Sequence, residues 1–214
     1  MSLNIQQFTV NLFGESTYVV YDDESRQAMI VDAGMTKPYE EAEVDDFIAA
    51  KQLQLKYMVN THLHLDHTFG NRHIEDRYRL STMAHAADFG LGRDIAGQAA
   101  MFHLRGQFFS PTKLVSIDET TRLRLGNDEL HVLHVPGHTP GGVAFYAPKS
   151  GFVISGDALF AGSIGRADLP GGDYAQLIRS IQTKLLTLPP NTVVYPGHGP
   201  ATAIGLEMSQ NPYL

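Results

Sequence analysis

The sequence predicts an α/β protein, a four-layer αββα sandwich with helices on the outside of two buried sheets. Three observations carry that expectation. Short runs rich in β-branched and aromatic residues alternate with stretches of helical spacing along the chain. Their order is strands, helix, strand, helix, then strands, helix, strand, a succession that buries sheets beneath helices. Several strands end at glycine turns that also carry imidazole or carboxylate groups, which would gather functional side chains at one edge of the sheets.

The first strands are Tyr18-Val19-Val20-Tyr21 and Ala28-Met29-Ile30-Val31, joined through the polar stretch Asp22 to Ser25 as a hairpin. Asp32-Ala33-Gly34 ends the second. Pro38 suits the first turn of a helix, and Val44, Phe47 and Ile48 follow at i, i+3, i+4 spacing. The acidic run Glu40 to Asp46 reads as that helix's solvated face. A strand at Tyr57 to Val59, a helix over 68–80 and a strand near Met83 come next. Residues 86–110 mix glycines with Met101, Phe102, Phe108 and Phe109, and read as broken helices folding over the site as a lid. Strands follow at Leu130 to Val135, Val143 to Tyr146 and Phe152 to Ile154. A helix begins at Asp173, which with Gln176 forms a variant capping box. Tyr174, Leu177, Ile178, Ile181 and Leu185 give it one apolar stripe, and Pro189-Pro190 stops it. The last strand is Val193 to Tyr195. The whole of residues 1–214 reads as a single domain, since no linker or short repeat interrupts it.

A hydrophobic content of 43% in 214 residues argues for a full core and against disorder. The net charge of −7 argues against a nucleic-acid partner, which needs a basic surface. There is no cysteine, hence no disulfide framework and no cysteine nucleophile. The N-terminus lacks a basic region followed by an apolar core, and no run reaches membrane-spanning length. The expectation is a cytoplasmic protein that neither enters a membrane nor binds nucleic acid, with a small molecule as its substrate.

The chemistry concentrates in Thr61-His62-Leu63-His64-Leu65-Asp66-His67. Four metal-capable side chains fall within six residues directly after a strand. In extended chain His62 and His64 share a side, and a turn at Leu65 would bring Asp66 and His67 to the same cavity. Imidazole and carboxylate suit zinc, iron or manganese better than calcium or magnesium. His138, Asp157 and His198 each follow a glycine at a strand end. Seven ligands exceed one tetrahedral ion and fit two divalent ions, zinc first, with iron or manganese as alternatives. The division places His62, His64 and His138 on one ion and Asp66, His67 and His198 on the other, with Asp157 bridging. His73, His85, His103, His131 and His134 read as ordinary surface or core histidines.

The spacing His-x-His-x-Asp-His, followed by a distant His, Asp and His, resembles the metallo-β-lactamase superfamily, and residues 62 to 198 match it at all seven positions. The resemblance implies the αββα sandwich with its site at one edge. It implies that Asp32 supports the site indirectly, with Thr61 and Thr139 as further supporting residues. It also implies water activation by the metal pair, with Asp66 orienting the nucleophile. The stretch Gly156 to Asp173, with Gly165-Arg166, resembles glyoxalase II-like hydrolases and implies a thioester such as S-lactoylglutathione. The basic C-terminal extension that holds glutathione in full-length relatives has no counterpart, since residues 199–214 contain no Lys or Arg. Arg166 is the local candidate for gripping a substrate carboxylate, with an ion pair to Asp168 as its alternative role. Iron-dependent persulfide dioxygenases resemble the same scaffold and form the main rival. The glycine-rich segment after Asp157 favours neither a lactonase nor a β-lactamase, and the net acidity and compact length argue against a nucleic-acid phosphodiesterase.

Overall fold

Two six-stranded mixed sheets face one another, and a computed structural model describes them for residues 2–214. The first sheet holds β1 (Asn4–Val10), β2 (Glu15–Tyr21), β3 (Gln27–Val31), β4 (Gln54–Val59), β5 (Thr82–His85) and β6 (Leu114–Ile117), in that spatial order. Its first three strands are antiparallel and the rest run parallel. The second holds β7 (Arg122–Leu125), β8 (Asp128–His134), β9 (Val143–Ala147), β10 (Phe152–Gly156), β13 (Val193–Pro196) and β14 (Thr202–Ala203). A small hairpin of β11 (Leu159–Phe160) and β12 (Ser163–Ile164) stands apart.

Alternation along the strands builds the layers. Tyr18, Val20, Met29 and Val31 point inward and meet Leu130, Val132, Phe145 and Ile154 of the other sheet. Their neighbours Val19, Tyr21, Ala28 and Ile30 point outward against Val44 and Ile48 of α1 (Pro38–Ala50) and Ile74 of α2 (Asn71–Tyr78). On the far side Ala144, Val153 and Val194 pack under α5 (Tyr174–Ser180) and α6 (Ile204–Gln210). Each fully buried Val, Ile or Leu contributes about 1.5–3 kcal/mol relative to exposure, so strands apolar on both faces must lie in the middle layers. The four layers are those the sequence predicts. Among the described residues no helix is long and apolar enough to cross a membrane.

Several details differ from the sequence reading. The second helix starts at Asn71, after a turn through residues 68–70. Asp173 caps α5 by accepting the Gln176 backbone N–H at 2.9 Å, so only the aspartate half of the capping box is made. Tyr174 is exposed and stands outside the buried stripe of Leu177, Ile181 and Leu185, whose last turn is a π-helical run over Ile181–Leu185. Strands β1, β6 and β7 and helix α6 are additional. β1 is a half-polar edge strand and the others are too short to show a clear period.

The sheets are stitched together where the site lies. The buried Tyr18 hydroxyl donates to the Pro196 carbonyl at 2.7 Å, and Ser16 N–H donates to the Gly197 carbonyl at 2.8 Å. These bonds hold the end of β13, and hence His198, against the start of β2.

Candidate metal centre

The loop after β4 carries the first candidate ligands. His62 and His64 sit in extended chain, and a single 3₁₀ turn over Leu65–His67 swings Asp66 and His67 into the same space. His138 follows β8, Asp157 follows β10 and His198 follows β13. The glycines before them serve two different ends. Gly137 and Gly156 have positive φ, +135° and +52°, which the turns require. Gly197 is needed for space, because a Cβ there would collide with the Asp157 carboxylate and the His67 ring.

All seven predicted ligand side chains converge, in two groups. His138 Nε2 lies 3.2 Å from His62 Nε2 and 2.9 Å from His64 Nδ1. His198 Nε2 lies 3.3 Å from Asp66 Oδ2, and His67 Nε2 lies 3.8 Å from the same oxygen. Asp157 stands between the groups. Its Oδ2 is 3.6 Å from both His138 Nε2 and His198 Nε2, and its Oδ1 is 3.4 Å from His67 Nε2.

The remote ring nitrogens define the tautomers. Asp32 accepts from Thr61 N–H and from the Thr61 hydroxyl, each at 2.7 Å. That uses the only hydroxyl hydrogen, so His62 Nδ1–H donates to Thr61 Oγ1 at 3.1 Å. His67 Nδ1–H donates to Asp32 Oδ2 at 3.0 Å, His138 Nδ1–H to the Arg166 carbonyl at 2.7 Å, and His198 Nδ1–H to the Phe13 carbonyl at 3.2 Å. In the neutral rings the opposite nitrogens of His62 and His138 are therefore lone pairs, and they face each other 3.2 Å apart. Two lone pairs at that separation repel unless a cation lies between them. Donors sharing one tetrahedral zinc at ~2.0–2.1 Å stand about 3.3 Å apart, so the spacing fits an ion. His67 Nε2 and Asp157 Oδ1 are buried with no hydrogen-bond partner, a second mark of a cation position.

The electrostatics divide the same way. Burial, with the crowding of His67, His138 and His64, pushes His62 well below the usual histidine range. Burial and His138 bring His64 down to about 3, against the pull of Asp66 and Asp157. Burial opposes a charge on His67, yet Asp157, Asp66 and Asp32 outweigh it and hold His67 well above its ordinary value. His198 is raised as well, burial being outweighed by Asp66 and Asp157. Burial would raise both Asp66 and Asp157, but the surrounding imidazoles keep them below the carboxylate range. The donor set thus offers lone pairs on one side and anions on the other, as a pair of divalent cations requires.

The supporting residues fall in three ways. Asp32 and Thr61 lie behind the ligands as the sequence implies, with Asp32 held at φ +52° by its bonds to Thr61. Thr139 does not reach a ligand side chain. Its hydroxyl donates to Asp88 Oδ2 at 2.8 Å, because that buried carboxylate also gathers Gly141 N–H and Leu63 N–H and so ties the His138 turn to the His62 loop. Arg166 lines the cavity with an exposed guanidinium that forms a two-pronged pair with Asp168, at 2.7 and 2.8 Å. Its carbonyl, not its charge, holds His138.

Sequence reading missed three contributors. Asp88 is one. Gln98 accepts from Leu65 N–H at 3.0 Å and donates to the Leu63 and Leu91 carbonyls, pinning the chain on both sides of His64. Its signal was a polar residue on the apolar face of α4 (Ile95–Met101), beside Ile95 and Ala99. Glu15 is fully buried, 3.7 Å from His67 Nδ1, and burial drives its carboxyl well above the usual range. The broken helices α3 (Phe89–Gly92) and α4 therefore brace the metal loop as well as flanking the cavity.

The site opens as a cavity of about 220 Å³ lined by Phe13, His64, Asp66, Phe102, Asp157 and Arg166 among others. Comparison with known proteins agrees with this architecture. The family model described as the metallo-beta-lactamase superfamily matches residues 10–198. A hydroxyacylglutathione hydrolase, GloC, of Haemophilus influenzae is 34% identical over 99% of this chain and 98% of its own length. The crystal structure of the BLEG-1 B3 metallo-beta-lactamase superposes with a TM-score of 0.87 at 33% identity, covering 99% of each chain. That of TTHA1623 in a di-iron-bound form gives 0.86 at 35% identity, covering 98% of this chain and 100% of that one. On the seven converging side chains, the four layers and these matches, the chain belongs to the metallo-beta-lactamase superfamily.

Proposed function

We propose that the protein is a metal-dependent hydrolase of small thioesters, of the glyoxalase II kind. The observation that carries the reading is the two-part ligand set around Asp157, in a chain whose hydroxyacylglutathione hydrolase relative matches it over nearly its whole length. Zinc is our first assignment for both ions; the di-iron neighbour keeps iron in the test.

His62, His64 and His138 would hold one ion, Asp66, His67 and His198 the other, and Asp157 both. When bound, such a pair supplies a water acidified to near neutrality and Lewis acidity for the substrate carbonyl. The chain's own groups do the rest. Asp66 is held as an anion at the cavity wall, placed to orient the water and take its proton. The water oxygen bonds to the acyl carbon and the carbon–sulfur bond breaks. The sulfur leaves with the bonding pair, which a thiol of pKa about 8.5 tolerates without a strong acid. A carboxylic acid and a thiolate result; the proton on Asp66 can pass to the thiolate, and the acid releases the water's second proton to solvent to leave as the carboxylate. Arg166 sits at the lip, where a substrate carboxylate could compete with Asp168 for its guanidinium.

The test is turnover of S-lactoylglutathione beside a lactone, a β-lactam, a phosphodiester and a persulfide, with elemental analysis of the protein as purified. The expected result is thioester cleavage that a chelator abolishes and zinc or iron restores. Oxygen uptake with the persulfide and no thioester cleavage would replace the hydrolase by a dioxygenase.

A further inference from the structure

A second cavity of about 210 Å³ opens off the metal cavity between the α3–α4 segment and the Leu169-Pro170 turn. The two share His64, Phe102 and Leu169 in their walls, so the slot begins at a ligand of the first ion. Its other walls are mainly apolar, with Leu91, Met101 and Pro170. The one ionised group is Asp94, whose carboxylate caps α4 by accepting the Gly97 N–H at 3.0 Å. An apolar recess with an anion at its rim accepts a hydrocarbon group and repels an anionic one. Cations line another recess beside the metal loop. A basin of about 630 Å³ carries Lys37 and Arg105 against one carboxylate, Glu40, and Asn11 in its wall donates to the Asp66 carbonyl at 3.0 Å. Phe13 and Phe102, packed edge to face at 5.9 Å, belong to the metal cavity, and their chain neighbours Leu12 and His103 line the basin.

We propose that the slot at His64 is an acyl subsite, and that the preferred substrates are thioesters whose acyl group is a hydrocarbon chain or phenyl group larger than lactoyl. This deepens the thioester reading and rests on it. The slot has about seven times the ~30 Å³ share of a water molecule, room for a chain of about six carbons or a phenyl ring. A polar three-carbon lactoyl group would leave much of it to water. The acyl end points into the slot because the other end of a natural thioester, a peptide thiol with carboxylates or a carrier with phosphates, is anionic. Asp94 disfavours it there and the cationic basin favours it.

The experiment varies one end of the substrate at a time on the metal-loaded protein. With glutathione fixed as the thiol, kcat/KM should rise about fourfold per added methylene from acetyl to hexanoyl, then level off. A flat or falling series overturns the proposal, as does a rise seen only when the thiol is lengthened. Gly90 lines the slot and a Cβ there meets nothing within 4 Å, so Gly90→Phe adds bulk without strain. It should cost the hexanoyl substrate at least about tenfold more than the acetyl substrate and keep the metal content unchanged. Equal losses on both substrates count against the subsite. Binding of straight-chain carboxylates, followed by calorimetry, separates this inference from the reaction. Affinity that grows with chain length, without cleavage of any thioester, keeps the slot and removes the thioesterase. Thioester cleavage with affinity indifferent to chain length does the reverse.

Discussion

The two halves of the candidate metal centre share one short loop, from which each takes two of its side chains, yet stand in opposite electrostatic surroundings. His62, His64 and His138 are buried imidazoles, the protonation of His62 and His64 is suppressed, and the groups behind His62 and His138 are a hydroxyl and a backbone carbonyl. His67 and His198 face carboxylates, with Asp32 and Glu15 behind His67, and both are more readily protonated than an ordinary histidine. In the first half, His62 and His64 present lone pairs that no proton contests at neutral pH. The second presents negative charge that attracts a cation, with the proton as its competitor. A dinuclear centre built this way should fill in order and lose its ions in order.

The largest expected effect comes from removing what the halves share. Asp157→Ala takes away the one carboxylate within 3.6 Å of nitrogens from both groups. It should empty the second position, weaken the first, and lower the proposed hydrolysis by about 10²–10³-fold or more, the scale of losing a principal transition-state stabiliser. Metal stoichiometry by elemental analysis and kcat on one substrate check it. Two ions still tightly bound would show that the halves are independent.

Acid should separate the halves without a mutation. Because His67 and His198 are raised, a falling pH returns protons to them and the second ion is displaced. Because His62 is lowered and His64 lies near 3, the first ion keeps two imidazoles that meet no such competition until far lower pH. Titration from about pH 8 to about pH 5 should pass through a species holding one ion at the His62, His64 and His138 group. Cobalt substitution would report it as two spectral steps. A single concerted loss would mean that Asp157 couples the two positions more strongly than their surroundings separate them.

The same contrast explains what the sequence could reveal. The convergence of the seven candidate side chains was legible because they lie within a few residues of one another or at glycine-preceded strand ends, a local pattern that chemistry constrains. Asp32 and Thr61 were legible only through the family's motif. Asp88, Gln98 and Glu15 were not, since their role is a long-range hydrogen bond or buried contact to a loop 25, 33 or 52 positions away, and nothing local marks an acid or amide as buried. The layers were readable from strands such as β2 and β10, apolar on both faces. Edge elements such as β1 and the seven-residue α6 were not, because they bury only part of one face. Residues 86–110 show both limits at once. Their broken helices were foreseen, and the polar side chains by which they hold the metal loop were not.

Gln98 offers the smallest test of the contrast, because its bonds bracket a side chain of the first half and reach the second only through the backbone of Leu65. Its amide holds Leu63 and Leu65 on either side of His64, while the Asp66 and His67 carbonyls keep their own bonds from Asn11 and Asn60. Gln98→Ala leaves Leu65 N–H, Leu63 C=O and Leu91 C=O short of a buried partner, at a cost of about 1–3 kcal/mol. For a chain of this size that is a fall in Tm of roughly 2–10 °C, read by thermal unfolding. The anchors of His62 on Thr61 and of His138 on Arg166 remain, so the first ion should stay bound with affinity reduced by no more than about tenfold, and the second should be unaffected. If the variant instead sheds the first ion and keeps its melting temperature, the lone-pair half is not preorganised by its framework. The ion itself would then be what draws His64 into place.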